Sequence, residues 1–129
     1  MFEILPIQSK EEQKALCELC QIPFRPEMLA YRAVNEGEFC GICQFTMDAC
    51  GGRLTDFAWI PEKYDFETLF IMGRAALNFI DLCGVHQAFF DAECKNETLV
   101  KAIGFSRNSE GRWAVDLTDF FTGTCKNRK

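Results

Sequence analysis

The chain has 129 residues, 48% of them hydrophobic, and carries a net charge of −5 from 14 basic and 19 acidic side chains. That is enough apolar material for one domain with a real core, and the acidic balance excludes electrostatic attraction to nucleic acid or to an anionic membrane. No run of about twenty apolar residues occurs, and no charged segment followed by an apolar run opens the sequence. We therefore expect a soluble, cytoplasmic protein with no nucleic-acid or membrane partner.

The sequence contains eight cysteines, many for a reducing compartment in which disulfides do not persist. Cys17-x-x-Cys20 and Cys40-x-x-Cys43 have the spacing of a four-cysteine zinc site. Their context argues against a metal, because the first pair lies in a predicted helix and the second in a predicted strand, where residues three apart face opposite sides. We predict free, core-packing cysteines and no metal site, with a zinc-binding domain as the minor alternative.

The chain begins with a predicted strand and a predicted helix. Residues 2–7 are mostly apolar, and Pro6 places them at a sheet edge because proline cannot donate a hydrogen bond to a neighbouring strand. Ser9 and Glu12 have the spacing of a capping box, which opens a helix. Its predicted apolar face consists of Ala15, Leu16, Leu19 and Cys20.

Alternation with a period of two begins after this helix and predicts three consecutive antiparallel strands. They cover residues 28–34, 38–47 and 53–60. The segments between them, 35–37 and 49–52, contain glycines that supply the positive φ of tight turns.

A long helix is predicted from Asp65, a suitable N-cap, to a stop at Gly84. Arg74, Asn78 and Asp81 are predicted to face outward. Apolar residues recur at three- and four-residue steps, which predicts a mostly buried helix. These residues are Phe66, Leu69, Phe70, Ala76, Leu77, Phe79, Ile80 and Cys83.

The last third of the chain predicts a central strand, a short helix and a final strand. Asn96 is the predicted N-cap of the short helix, and Gly104 ends it. A polar turn follows before the last strand. In chain order the strand, helix, turn and last strand cover residues 87–92, 97–103, 106–111 and 112–117.

The predicted order β-α-βββ-α-β-α-β is typical of an α+β fold with one mixed, mostly antiparallel sheet flanked by helices. We predict a single domain over residues 1–121. Residues 122–129 carry three basic side chains and no apolar pattern, and they predict a flexible tail.

This order of elements resembles the GNAT superfamily, whose members transfer an acetyl group from acetyl-CoA to an amine. The resemblance covers nearly the whole chain and implies the GNAT fold, acetyl-CoA or another acyl-CoA as donor, and a small-molecule or protein amine as acceptor. The residues that carry it are Gly41 in the third strand, Trp59-Ile60-Pro61 at the end of the fourth, residues 75–79 and Gly84-Val85 around the CoA helix, and Asn96 with Ile103-Gly104-Phe105 in the closing segment.

The segment that corresponds to the family's pyrophosphate loop departs from the family pattern. The family has Arg or Gln followed by spaced glycines, and residues 64–69 here read Tyr-Asp-Phe-Glu-Thr-Leu, with no match. Asp65 and Glu67 would place negative charge where the CoA diphosphate lies, and each complements the helix dipole by about 0.3–1 kcal/mol. The family's catalytic tyrosine falls on Val100, so no general acid is carried over.

Several residues are candidates for a site on this scaffold. Asp56 is a candidate general base acting through a water molecule, and the alternative is an exposed strand carboxylate beside Arg53 or an ion pair. His86 is predicted to lie in a loop without a catalytic partner. The cofactor contacts that the resemblance implies are Phe57, Ala58, Trp59 and Ile60, through their main-chain groups, and Asn96.

Two functions remain open from the sequence. One is an acyl-CoA-dependent N-acetyltransferase of unknown acceptor with a non-matching diphosphate loop. The other is a catalytically inactive GNAT-fold module for binding or interaction. In the resemblance the acceptor is held by residues 21–27, and this short segment predicts an open mouth. The phenylalanine-rich composition, 13 of 129 residues, is compatible with a homodimer.

Overall fold

The computed structural model describes residues 1–121, and the predicted tail at 122–129 lies outside the described residues. No helix within residues 1–121 has both the length and the apolar character needed to span a membrane. The elements are β1 (Phe2–Pro6), α1 (Lys10–Leu19), β2 (Leu29–Asn35), β3 (Glu38–Asp48), β4 (Gly51–Trp59), a 3₁₀ turn (Pro61–Lys63), α2 (Phe66–Leu82), β5 (Gln87–Phe90), α3 (Glu97–Ile103), β6 (Ser106–Arg107) and β7 (Trp113–Asp116).

The strands form one seven-stranded sheet in the order β1-β2-β3-β4-β5-β7-β6. Every neighbouring pair is antiparallel except β4 and β5, which are parallel. This confirms the predicted α+β class with a single mixed, mostly antiparallel sheet. The short strand β6 adds to the predicted order, because the first two residues of the predicted polar turn pair with β7. Two residues are too few to show an alternating pattern in the sequence.

The parallel pair β4 and β5 is short. Residues 52–54 pair with residues 88–90, and one further hydrogen bond of 2.9 Å runs from Asp91 N to Leu54 O. β5 ends there, whereas β4 continues to Trp59 with β3 as its strand neighbour. Within the described chain, the last part of β4 therefore presents one edge that no strand covers.

A β-bulge in β4 marks the point where this open edge begins. Gln44 of β3 lies opposite Asp56 and the next residue, Phe45, lies opposite Leu54, so Thr55 is an extra residue in β4. The bulge reverses the alternation of side chains along the strand. Leu54 and Phe57 are three positions apart, but because of the bulge they face the same side and belong to the same core cluster.

The sheet separates two apolar cores. The larger core lies between the sheet and helices α2 and α3, and the smaller core lies beneath α1 on the opposite face. Three predictions for α2 were wrong. Phe66 is 39% exposed and Cys83 is exposed, because the ends of the helix extend beyond the core. Arg74 does not face outward but donates hydrogen bonds to the carbonyl oxygens of Ile103 and Ala102, at 2.5 and 3.3 Å.

The capping of α1 was predicted correctly, and its buried face was predicted in part: Cys20 is buried and Leu16 packs on the smaller core, whereas Ala15 and Leu19 are exposed. The Ser9 side chain accepts a hydrogen bond of 3.2 Å from Glu12 N. The fully buried residues of the helix are Gln13 and Cys17, whereas Leu19 is 60% exposed. Apolarity alone does not identify the centre of the buried face of α1, because a glutamine with all its hydrogen bonds satisfied occupies a core position there.

Gly41 in β3 leaves no room for a side chain. An added Cβ would lie 2.7 Å from Ala58 O and 2.9 Å from Leu69 Cδ2. Because a backbone oxygen cannot move aside by changing rotamer, we expect Gly41→Ala to lower the free energy of unfolding by about 2–3 kcal/mol. In Gly37→Ala, the comparison variant, an added Cβ meets no atom within 4 Å, and only the φ of +80° opposes the change, at a cost of about 1 kcal/mol. Urea denaturation compares the two, and equal losses would contradict the argument.

Candidate functional site

The open edge of β4 presents main-chain groups of two of its residues. Ile60 N donates a hydrogen bond of 2.8 Å to Cys40 O in β3, and Ala58 lies opposite a residue of the same strand. Because main-chain groups alternate in direction along a strand, Phe57 and Trp59 turn theirs toward the edge beside β5. Four residues were predicted to contact a pantetheine arm through their main chain. Phe57 and Trp59 have main-chain groups at the open edge, whereas Ala58 and Ile60 use theirs within the sheet.

A hydrogen bond crosses the space beside this edge. The Trp59 ring packs on the Tyr64 ring with 5.4 Å between their centroids. Asn96 Nδ2 donates a hydrogen bond of 2.8 Å to the Tyr64 hydroxyl, and Asn96 Oδ1 accepts one of 3.1 Å from Leu99 N as the N-cap of α3. The contact joins the segment after β4 to the segment after β5. Tyr64 and Asn96 thus meet next to Trp59, the last residue of the open edge.

The start of α2 is capped by its own carboxylate, as predicted. Asp65 Oδ2 accepts hydrogen bonds from Thr68 N at 2.9 Å and from Thr68 Oγ1 at 2.5 Å. These hydrogen bonds hold the pKa of Asp65 below its usual value. Glu67 adds a second negative charge in the same turn, and the nearby cation Lys63 pairs with Glu38. These residues do not fit a diphosphate, which needs free amides and positive charge.

Asp56 lies on the other face of the sheet, where it forms a buried ion pair. Its side chain is 8% exposed, and Arg25 donates to it through Nε at 2.5 Å and Nη2 at 3.5 Å. Gln44 Nε2 donates a further hydrogen bond of 2.8 Å to Oδ2. The sequence analysis offered two structural alternatives to a catalytic base, and the structure shows the ion pair. The exposed carboxylate beside Arg53 is wrong, because Arg53 pairs with Asp48 at 2.8 Å.

Gln44 organises a buried polar network around Asp56. Its Oε1 accepts hydrogen bonds from Gln13 Nε2 at 2.9 Å, Arg25 N at 3.0 Å and Cys17 Sγ at 3.3 Å. Its Nε2 also donates to Pro23 O at 2.8 Å. Among the described residues, every buried side-chain nitrogen and oxygen has a partner. The sequence analysis missed this network, although a glutamine within an otherwise apolar strand is a signal of it.

The segment from 21 to 27, predicted to leave an open mouth, covers this side of the sheet. Arg25 holds Asp56, and the backbone of the same segment holds Gln44. The ion pair in turn raises the pKa of Arg25. Val100, at the position of the family's tyrosine, is buried in the larger core. The role of Asp56 as a base stays a prediction that would require Arg25 to move.

The four-cysteine zinc site is wrong. Cys17 and Cys20 belong to the core beneath α1, and Cys40 and Cys43 belong to the core beneath α2, so the sheet lies between the two pairs. Within residues 1–121, no three metal-ligating side chains are grouped closely enough to hold an ion. Burial raises the pKa of Cys17 to about 11 and that of Cys43 to about 12, which keeps both thiols protonated.

His86 lies exposed in the loop between α2 and β5, as predicted. Its Nδ1 is 2.7 Å from Asp81 Oδ1. Cys50 lines the same surface pocket of about 590 Å³, but in the described part of the chain no hydrogen bond joins its thiol to the imidazole. Within residues 1–121 the fold gives His86 a carboxylate partner and no activated nucleophile.

Comparison with known proteins identifies the fold. No family model and no curated protein matches the sequence. Among solved structures, an IAA acetyltransferase from Bacillus cereus ATCC 14579 is 17% identical, with a TM-score of 0.72 over 91% of this chain and 100% of that one. The PaiA N-acetyltransferase from Thermoplasma acidophilum in complex with coenzyme A is 13% identical, with a TM-score of 0.68 over 90% and 99%. A GNAT-family acetyltransferase from Streptococcus pneumoniae is 16% identical, with a TM-score of 0.61 over 82% and 88%. At such low identity these matches show a shared fold.

Replacing Arg25 by glutamine removes the guanidinium from Asp56. We expect Arg25→Gln to lower the free energy of unfolding by about 2–3 kcal/mol, because it leaves a buried charge without its partner. The loss is smaller than for a fully buried pair, since 33% of the Arg25 side chain is exposed. Arg53→Gln is the matched control and should cost less than about 1 kcal/mol, because its partner Asp48 is largely in solvent. Chemical denaturation measures both, and a cost for Arg25→Gln no larger than that of the control would refute the assignment.

Proposed function

We propose that this chain, a domain with the GNAT fold, is a catalytically inactive binding module that has lost the uptake of acyl-CoA. The observation that carries the proposal is the start of α2. There Asp65 occupies an amide that a diphosphate would need, and Glu67 stands beside it. Like charges at this end of the helix oppose an anionic ligand, and Lys63, the cation just before the helix, is paired with Glu38.

The open edge of β4 supports the same conclusion from a second direction. The Tyr64–Asn96 hydrogen bond and the contact of Tyr64 with Trp59 lie beside the main-chain groups that would hold a pantetheine arm. Displacing Tyr64 would expose the Trp59 ring and break one hydrogen bond. That step costs about 1 kcal/mol for the hydrogen bond alone, and it adds to the electrostatic opposition at α2.

Asp56, the carboxylate predicted to act on the acceptor amine, is also engaged by other side chains. A general base must be reachable by a water molecule or by the amine. The Asp56 side chain is only 8% exposed, both its oxygens contact Arg25, and one also accepts from Gln44. The carboxylate therefore has a structural role in joining the segment around Arg25 to the sheet.

The second candidate function is an acyl-CoA-dependent N-acetyltransferase with a small-molecule or protein amine as acceptor. The observation that favours it is the free edge of β4, where Phe57 and Trp59 present main-chain groups without a strand partner in the described chain. Solved structures of the same fold include one in complex with coenzyme A. In this candidate the donor would be held by its pantetheine arm, with little contribution from its phosphates.

Titration with acetyl-CoA separates the two functions. We expect no saturable heat at millimolar acetyl-CoA in isothermal titration calorimetry, because the carboxylates at α2 oppose the diphosphate. Dephospho-CoA and pantetheine serve as matched ligands that remove phosphates stepwise. Micromolar binding of acetyl-CoA would overturn the proposal of an inactive module and favour the transferase. Binding of pantetheine alone would show that the phosphates are what prevents CoA from binding.

Removing the two carboxylates should create affinity for CoA. We expect Asp65→Asn with Glu67→Gln to bind acetyl-CoA at least about tenfold more tightly than the unmodified chain, a gain of about 1.4 kcal/mol, because asparagine still caps the helix without a charge. Glu11→Gln with Glu18→Gln, on α1, removes the same charge from the exposed surface of another helix and is the control. Unchanged affinity in the first variant would show that these carboxylates do not block the site.

A further inference from the structure

We propose that a groove between the end of β1 and the second half of α2 binds a small aromatic monocarboxylate. The groove encloses about 370 Å³, within the range of small-molecule sites. It lies where β1 ends, β2 begins and α2 crosses the sheet. The residues that carry the argument are Lys10, Leu29, Tyr31, Phe45 and Phe79.

Two partly exposed aromatic rings, Tyr31 and Phe79, line one wall of the groove, and the buried ring of Phe45 packs behind them. Tyr31 and Phe45 are stacked, with 5.6 Å between centroids and an interplanar angle of 12°. Phe79 meets Phe45 edge to face at 6.0 Å and 74°. Ile7 and Ala30 complete an apolar lining. Such a wall favours a flat ring as ligand, because offset stacking adds to the free energy of burying its apolar surface.

Lys10 supplies a positive charge beside this apolar wall. Its Nζ donates hydrogen bonds to Gln13 Oε1 at 3.0 Å and to Met28 O at 2.7 Å, both neutral acceptors. Within the described chain no carboxylate pairs with it. An ammonium has three N–H donors, so one is left for a ligand. Lys10 shares the lack of a carboxylate partner with other lysines, such as Lys14, but among the described residues it is the lysine that lines this groove.

The Tyr31 hydroxyl is a second polar group without a partner. Among the described residues it makes no hydrogen bond, and because no buried polar atom there lacks a partner, this hydroxyl is open to solvent. Burial of the ring raises the pKa of Tyr31, so the hydroxyl stays a donor at neutral pH. An ammonium and a hydroxyl beside an apolar wall match a carboxylate attached to a ring.

The groove is separate from the open edge of β4. Phe79 lies in the second half of α2, about 20 Å along the helix from Phe66 at its start. Tyr64 and Asn96 lie near the start of that helix. Binding in the groove therefore does not depend on whether the edge of β4 accepts acyl-CoA, and the failure of one proposal leaves the other standing.

The test is a titration of the full chain with 3-phenylpropionate, followed by calorimetry and by amide and aromatic NMR resonances. We expect saturable binding that shifts the resonances of Tyr31, Phe45 and Phe79. The alcohol 3-phenylpropanol lacks the charge, and hexanoate lacks the ring, so each should bind about tenfold more weakly. Absence of saturation at millimolar 3-phenylpropionate, or shifts confined to the edge of β4, would overturn the proposal.

Matched variants test the two halves of the site. Lys10→Gln should weaken 3-phenylpropionate about tenfold without changing 3-phenylpropanol, whereas Lys14→Gln, an exposed lysine on the same helix, should change neither. Leu29→Asp at the 46% exposed rim should abolish carboxylate binding by repulsion, and Leu19→Asp, at a 60% exposed position elsewhere, should not. Folding is checked by the thermal midpoint of each variant. Equal weakening by a variant and its control would show that net charge, rather than this groove, governs binding.

Discussion

The extra residue in β4 determines how the sheet can be used. A strand without the bulge at Thr55 would direct Leu54 and Asp56 to the same face, and the carboxylate would enter the larger core. With the bulge, Leu54 remains in that core and Asp56 reaches Arg25 on the α1 face. The parallel pairing with β5 also ends at this point. One inserted residue therefore sets the place of the ion pair, the start of the open edge and the division between the two cores.

The electrostatics at the start of α2 determine whether the inherited geometry still suits a diphosphate. Each free amide at a helix start contributes about 1.5–3 kcal/mol as a hydrogen-bond donor to a charged group. Two unit charges of the same sign, 4 Å apart near a protein surface, repel by about 4 kcal/mol. Asp65 and Glu67 together introduce two such charges, and Asp65 also occupies the amide of Thr68. The two carboxylates therefore oppose the attraction that the remaining amides offer to a diphosphate.

The sequence predicts the elements well, because their signals are local. The caps at Ser9, Asp65 and Asn96 all accept the expected amide hydrogen bond, and the periodicity predicts six of the seven strands. The polar network around Gln44 was missed, since a glutamine in an otherwise apolar strand signals a buried polar group but does not identify its partners, such as Gln13. The candidate site was predicted by position alone. Asp56 lies in the fourth strand and Asn96 caps the last helix, as predicted, but their partners, Arg25 and Tyr64, come from segments with no periodic signal.

The balance of charges also limits what the groove at Lys10 can recognise. The chain carries a net charge of −5, so its long-range field repels an anion, and that field fades over a Debye length of about 8 Å at physiological ionic strength. An unpaired ammonium acts within that distance, where its hydrogen bond outweighs the distant carboxylates. A highly charged ligand would meet more repulsion than one lysine can offset, and a neutral one would leave the ammonium unused. The largest share of the affinity must come from burying a ring against Tyr31 and Phe79. Because the ring contacts supply affinity and the single charge supplies direction, the ligand that suits this groove is flat, small and singly negative.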